Sequence, residues 1–129
     1  MHYFFLPLTT VLKIHEDLID VYGGSHGIRD EKLLVSALAQ VQSTFGGEYL
    51  HRSIYEMGAA YLFHIIQNHP FIDGNKRTGI SVAAIFLSLH GIELNCKVSD
   101  LDKYVERIGS GKETKGAVAS WLKENTTKG

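Results

Sequence analysis

The sequence predicts an all-α domain, a compact six-helix arrangement around a central buried helix pair with one short flap hairpin. Three observations carry that expectation. Apolar residues recur at three- and four-residue spacings along most of the chain. Thirteen glycines and two prolines punctuate it, and the intervals between them read as helices. The composition is that of an ordinary globular chain, 44% apolar and 21% charged. A chain of 129 residues buries roughly two-thirds of its unfolded surface, enough to fold without disulfides or a structural metal. One domain over 1–129 is therefore expected.

The first helix is expected from about Leu8 to Tyr22, with Val11, Ile14, His15, Leu18, Ile19 and Tyr22 on one face and Gly23-Gly24 as its stop. Asp30 is placed to cap a second helix, whose inner face is Leu33, Leu34, Ala37, Leu38 and Val41. The stretch Phe45, Gly46, Gly47, Glu48, Tyr49, Leu50 is too glycine-rich for a helix and suggests a short hairpin or flap. Ser53 with Glu56 fits a capping box, opening a third helix to about Asn68 with Met57, Ala60, Tyr61, His64 and Ile65 on one stripe.

His69-Pro70 breaks that helix, because proline disfavours the helical conformation in the residue before it. A fourth helix is expected from near Asn75 to His90, stopped by Gly91. Ile80, Val82, Ala83, Ile85, Phe86, Leu87 and Leu89 make it apolar nearly all round, the pattern of a buried central helix. Ser99 with Asp102 is expected to cap a fifth helix to about Ile108, and Thr114 a sixth ending near Glu124.

Several classes lose support at once. Thirteen basic and fourteen acidic residues leave a formal charge of −1, whereas a duplex-DNA binder usually shows a basic excess, so no direct nucleic-acid contact is expected. The longest strongly apolar stretch, Ile80 to Leu89, is about half of what a bilayer crossing needs, so no membrane association is expected. The apolar start lacks a basic n-region, and the lone Cys96 cannot form an internal disulfide. A cytoplasmic location is the expectation.

The chemistry concentrates in His69-Pro70-Phe71-Ile72-Asp73-Gly74-Asn75-Lys76-Arg77-Thr78. A turn between helices needs only polar residues, and Asp-Gly-Asn is ordinary turn chemistry. This turn also gathers an imidazole, an ammonium and a guanidinium at a helix start, where free N–H groups and the positive dipole end favour an anion. Gly74 would let a phosphate approach the backbone. Lys76 and Arg77 supply positive charge, Arg77 as a two-pronged donor. Asp73 is a hard oxygen ligand suited to Mg²⁺, and the His69 imidazole can accept a proton near neutral pH. Metal ligand, phosphate clamp and base are the parts phosphoryl or nucleotidyl transfer requires. Phe71 reads as the core anchor of the loop.

This segment resembles the Fic/Doc family signature, His-x-Phe-x-(Asp/Glu)-Gly-Asn-(Gly/Lys)-Arg, at His69, Phe71, Asp73, Gly74, Asn75, Lys76 and Arg77. Gly23-Gly24, Gly27-Ile28-Arg29-Asp30, Leu33-Leu34, Ser36-Ala37-Leu38 and Phe45-Gly46-Gly47 are similar to the compact Doc-like, death-on-curing branch. The resemblance implies a compact Fic/Doc-like fold with ATP and Mg²⁺ as cosubstrate and metal. It implies His69 as the base that deprotonates a target hydroxyl, Asp73 as the Mg²⁺ holder, Gly74 and Asn75 as the anion hole, and Arg77 as stabiliser of phosphate charge. Adenylylating members usually carry glycine and a second arginine where this chain has Lys76 and Ile80. In Doc-like proteins the lysine goes with reversed nucleotide binding, which makes the product a phosphorylated protein. Gly74, where Doc-like members often have alanine, leaves adenylyl transfer as the alternative, and a non-enzymatic nucleotide- or partner-binding module as the second.

The branch further implies a toxin of a toxin–antitoxin pair that phosphorylates a hydroxyl of elongation factor Tu, halting translation. A Phd-like partner would block the nucleotide site, and the flap from Phe45 to Leu50 would dock the target by strand pairing. Ser120 to Asn125 fits a family inhibitory pattern in letters, but Trp121 and Leu122 read as packing residues of the last helix. His15 and His64 read as core histidines, His-Glu-x-x-His fails at Ile19, and Gly109-Ser110-Gly111-Lys112 reads as a turn. Arg29-Asp30 reads as fixing the loop before the second helix, and Cys96 as packing.

Overall fold

The computed structural model describes residues 2–129. The element order is α1 Leu8–Tyr22, α2 Glu31–Val41, β1 Thr44–Phe45, β2 Glu48–Tyr49, α3 Ile54–Asn68, α4 Asn75–Leu89, β3 Ile92–Leu94, α5 Val98–Gly109, α6 Lys115–Glu124 and β4 Thr126–Lys128. The all-α class follows, since the strands form only two small antiparallel pairs, β1 with β2 and β3 with β4.

Three helix starts are capped as their sequences require. The side chains of Asp30, Ser53 and Thr114 each accept an N–H three residues on, from Leu33, Glu56 and Ala117. Each such cap contributes about 1 kcal/mol. In the β1–β2 hairpin Gly46 and Gly47 hold φ +60° and +82° at the two turn positions. Positive φ at both is what a two-residue primed turn demands.

α3 is the central helix. It packs against α2, α4, α5 and α6, and Met57 to Leu62, Ile65 and Ile66 are all buried. Burial pushes the Tyr61 hydroxyl up to about 12, so it stays protonated, and it accepts the Leu6 N–H at 2.9 Å. That bond seats the N-terminal segment on the core.

The structure corrects four expectations. α4 is not apolar-buried all round: Ile85 and Leu89 are exposed. They lie four residues apart, one helical turn, so α4 covers α3 with one side and leaves the other to solvent. The longest unbroken buried run lies in α3 instead, Met57 through Leu62. Tyr22 is 65% exposed, not on the inner face of α1. α5 begins at Val98 behind Lys97, which makes no side-chain cap, so Ser99 and Asp102 lie inside the helix. Finally, the β3–β4 pair was not foreseen. Three-residue strands are too short to show a period of two, and pairing Ile92 with Lys128 joins segments distant in sequence.

Candidate active site

The turn between α3 and α4 is held from three sides. α3 ends at His69, the one non-glycine residue with positive φ among those described (φ +49°, ψ +53°). Left-handed backbone is unfavourable for a side-chain-bearing residue and persists only where its surroundings impose it. Here Arg29 imposes it: its Nε donates to the His69 carbonyl at 2.6 Å and its guanidinium to the Asn68 carbonyl at 2.8 Å. The Pro70 carbonyl accepts the Arg29 and Asp30 N–H groups, and Ile72 N–H donates to the Gly27 carbonyl. Residues 27–30, expected from Arg29-Asp30 to fix the loop before the second helix, thus tie that loop to the α3–α4 turn and clamp the turn itself.

Phe71 is fully buried and stacks on His15, ring centroids 3.8 Å apart and 6° from parallel. His15 Nε2 lies 2.8 Å from the Asp73 carbonyl. A carbonyl only accepts, so Nε2 carries the proton. His15 is therefore a buried, satisfied histidine, and it also supports the loop. The Asn75 side chain accepts from Phe71 N–H and donates to Phe71 C=O, both at 2.9 Å. It shapes the loop from within and is itself buried.

Two glycines allow close approach. Gly74, at φ +78°, precedes α4 and offers no capping side chain. The first N–H groups of α4 therefore have no intrahelical partner and are available to an anion. Gly24, at φ +114°, faces the Asp73 carboxylate, where a Cβ would stand 2.7 Å from Oδ2. That approach lets Ser25 N–H donate to Oδ2 at 3.1 Å, while Gly74 N–H donates to Oδ1 at 2.9 Å.

A cleft of about 740 Å³ opens beside the turn. His69, Asp73, Gly74, Asn75, Lys76 and Arg77 all line it, so the fold brings together every chemical residue of the motif except the buried anchor Phe71. The opposite wall is α5, through Asp102, Val105, Glu106 and Gly109. The adjacent cations diverge. Lys76 forms an ion pair with Glu106, its stem passing Gly109, whose absent Cβ would lie 3.0 Å from Lys76 Cε. Arg77 turns the other way, its Cζ over the Tyr22 ring at 4.6 Å.

The flap residues Phe45, Gly46, Gly47, Glu48, Tyr49 and Leu50 do not line this cleft. Tyr49 packs on Tyr3 and Phe5, and Phe45 and Leu50 are exposed. His64 faces α6, where Lys115 Nζ donates to its Nε2 at 3.2 Å. Burial, then the Lys115 charge and His51, push the His64 imidazole down to about 4. Trp121 stacks on Tyr104 and Leu122 is buried, the packing roles read from sequence. Sequence reasoning missed the supporting roles of His15, Gly24, Ser25 and Tyr22, and the α5 wall. Each acts through a contact 30 to 60 residues away in the chain, with no local pattern to announce it.

The all-α scaffold gathers an imidazole, a carboxylate and two cations around one uncapped helix start, a combination whose chemistry suits an anion. The Fic/DOC family model matches residues 5–87, and the chain belongs to that family. It is 37% identical over 73 residues to the "Toxin Doc" of Mycolicibacterium smegmatis, a match covering 57% of this chain and 56% of the relative. It is 30% identical over 84 residues to the "Protein kinase doc" of Escherichia phage P1, covering 65% and 66%. The match thus spans less than two thirds of either relative's length.

Proposed function

We propose that this chain is a Doc-type toxin that transfers the γ-phosphate of Mg-ATP to a Ser/Thr hydroxyl of a translation factor, of the elongation factor Tu type, and so inhibits translation. The observation that carries the reading is the single cleft in which His69, Asp73, Lys76 and Arg77 meet the open start of α4. The relatives' names, a toxin and a protein kinase, support the same class.

The residues present fit Mg-ATP. Gly74, at φ +78° and with no side chain, leaves the uncapped start of α4 open to the cleft it lines. Asp73 offers a carboxylate at the cleft edge, already oriented by two backbone N–H groups. Mg²⁺ characteristically takes one or two carboxylates together with substrate phosphates, and when bound it would neutralise charge on those phosphates. The open amides of α4, with Lys76 and Arg77, bind and orient the phosphates. His69, exposed at the cleft edge, takes the proton of the acceptor hydroxyl. A Phd-like antitoxin occluding this cleft is the partner the reading requires. The reading needs no direct contact with nucleic acid or a membrane, and no described helix is long and apolar enough to cross a membrane.

Purified protein, Mg²⁺ and elongation factor Tu, then whole bacterial lysate, are incubated with ATP labelled at the γ- or the α-phosphate. Transfer from the γ position alone is the expected result. Transfer from the α position would make the chain an adenylyltransferase, the reading Gly74 favours. His69→Ala should lower transfer by about 10²–10⁴-fold with the fold intact. Undiminished transfer in that variant would remove His69 from the mechanism.

A further inference from the structure

Tyr22 poses a problem that its position in the sequence hides. It closes α1 on the helix's apolar stripe, yet it is 65% exposed. Large aromatics left in solvent lose the burial that ordinarily stabilises them, so a ring in this place needs another role. Its neighbour supplies one, because the Arg77 guanidinium lies over the ring at 4.6 Å from the centroid.

The two cations of the motif are held by different chemistry. Lys76 is paired with a carboxylate, Glu106. Arg77 takes part in none of the ion pairs among the described residues. The distinction matters for an anion site. A carboxylate partner occupies N–H donors and cancels charge. An aromatic ring holds the guanidinium by its flat face and leaves the N–H edge, with its five donors, free for phosphate. α1 delivers the ring, and the Gly23–Gly24 turn that follows returns the chain to Asp73.

We propose that Tyr22 is a positioning residue that seats the Arg77 guanidinium face-on while leaving its donors directed at the phosphates in the cleft. The inference rests on the phosphate-transfer reading. Its energetic scale is that of one exposed cation–π contact, which corresponds to about a two- to fivefold change in affinity.

The test uses the full chain with Tyr22→Leu and Tyr22→Phe, both safe for folding because the side chain is exposed. In the free wild-type protein, NMR should show the Arg77 side-chain protons displaced by the ring current, a displacement kept in Tyr22→Phe and lost in Tyr22→Leu. Calorimetry with Mg-ATP and with inorganic triphosphate should show binding weakened about two- to fivefold in Tyr22→Leu and largely restored in Tyr22→Phe. In an Arg77→Ala background, Tyr22→Leu should add nothing further. Absence of the ring-current displacement overturns the seat itself. Unchanged triphosphate affinity in Tyr22→Leu, or equal weakening without Arg77, overturns the positioning role. If neither probe binds wild-type protein while the displacement is present, the phosphate-transfer reading fails, and the role falls with it.

Discussion

The two flanks of the motif turn are built differently. On the α1 side the turn is fixed by buried or backbone-directed contacts: the His15–Phe71 stack, the His15 bond to the Asp73 carbonyl, and Ser25 N–H on the Asp73 carboxylate. On the α5 side a cleft opens, crossed by one exposed ion pair between Lys76 and Glu106. The family model covers the first flank and stops at residue 87, before α5 begins at Val98. The difference teaches that the placement of the turn and the lining of its cleft are separate problems here. The α1 flank sets where Asp73 and the loop backbone stand. The α5 flank, outside the family match, sets what else the cleft touches.

The largest effect should come from the anchored side. Phe71→Ala removes a fully buried ring and its stack on His15, and should cost about 3–5 kcal/mol of stability by denaturant unfolding. A loss under about 1 kcal/mol would show that the turn is not anchored there. Gly24→Ala is next. A Cβ 2.7 Å from Asp73 Oδ2, on backbone at φ +114°, should cost about 1–3 kcal/mol and weaken Mg-ATP binding by displacing the carboxylate. Unchanged stability and binding in that variant would break the asserted rigidity of the α1 flank.

Glu106→Gln should reverse the pattern. The pair is exposed, so stability should move by about 0.5 kcal/mol or less, while freed Lys76 should tighten ATP binding about two- to fivefold. Asp102→Asn, on the same wall but outside that ion pair, controls for general charge. Equal tightening in both variants would reduce the Lys76–Glu106 pair to a field effect.

The last prediction concerns a polar cluster away from both flanks. The His64 imidazole is held down to about 4 by burial first and Lys115 second. The unfolded chain therefore takes up this proton before the folded one does. Stability from this group is complete above pH 6.5 and falls as pH drops from 6.5 through about 4. Lys115→Met should make the fall in thermal midpoint shallower, leaving the part due to burial. An identical profile in the variant would remove Lys115 as a cause.

Much of the fold was legible because its signals are local. Helix caps act within three residues, so Asp30, Ser53 and Thr114 marked three starts correctly. The Gly46-Gly47 turn announced its hairpin for the same reason. The α5 start was misplaced because Ser99 and Asp102 mimic a cap that Lys97 replaces without any side-chain bond. The motif residues were legible as a set, since seven defined positions within nine residues leave little room for coincidence. Their supports were not, because stacking, cation–π contact and ion pairing join α1, α4 and α5 across long stretches of chain.

The sequence by itself determined the helical class, the break at His69-Pro70 and the chemical inventory of the turn. Those follow from backbone preferences and residue types that neighbours in the chain already specify. Only the tertiary structure decided that α3, not α4, is the buried centre, that Tyr22 leaves the core to meet Arg77, and that Lys76 turns to α5. A helical stripe shows which residues can share a face, but which face is covered depends on where the other helices pack, and periodicity carries no information about that.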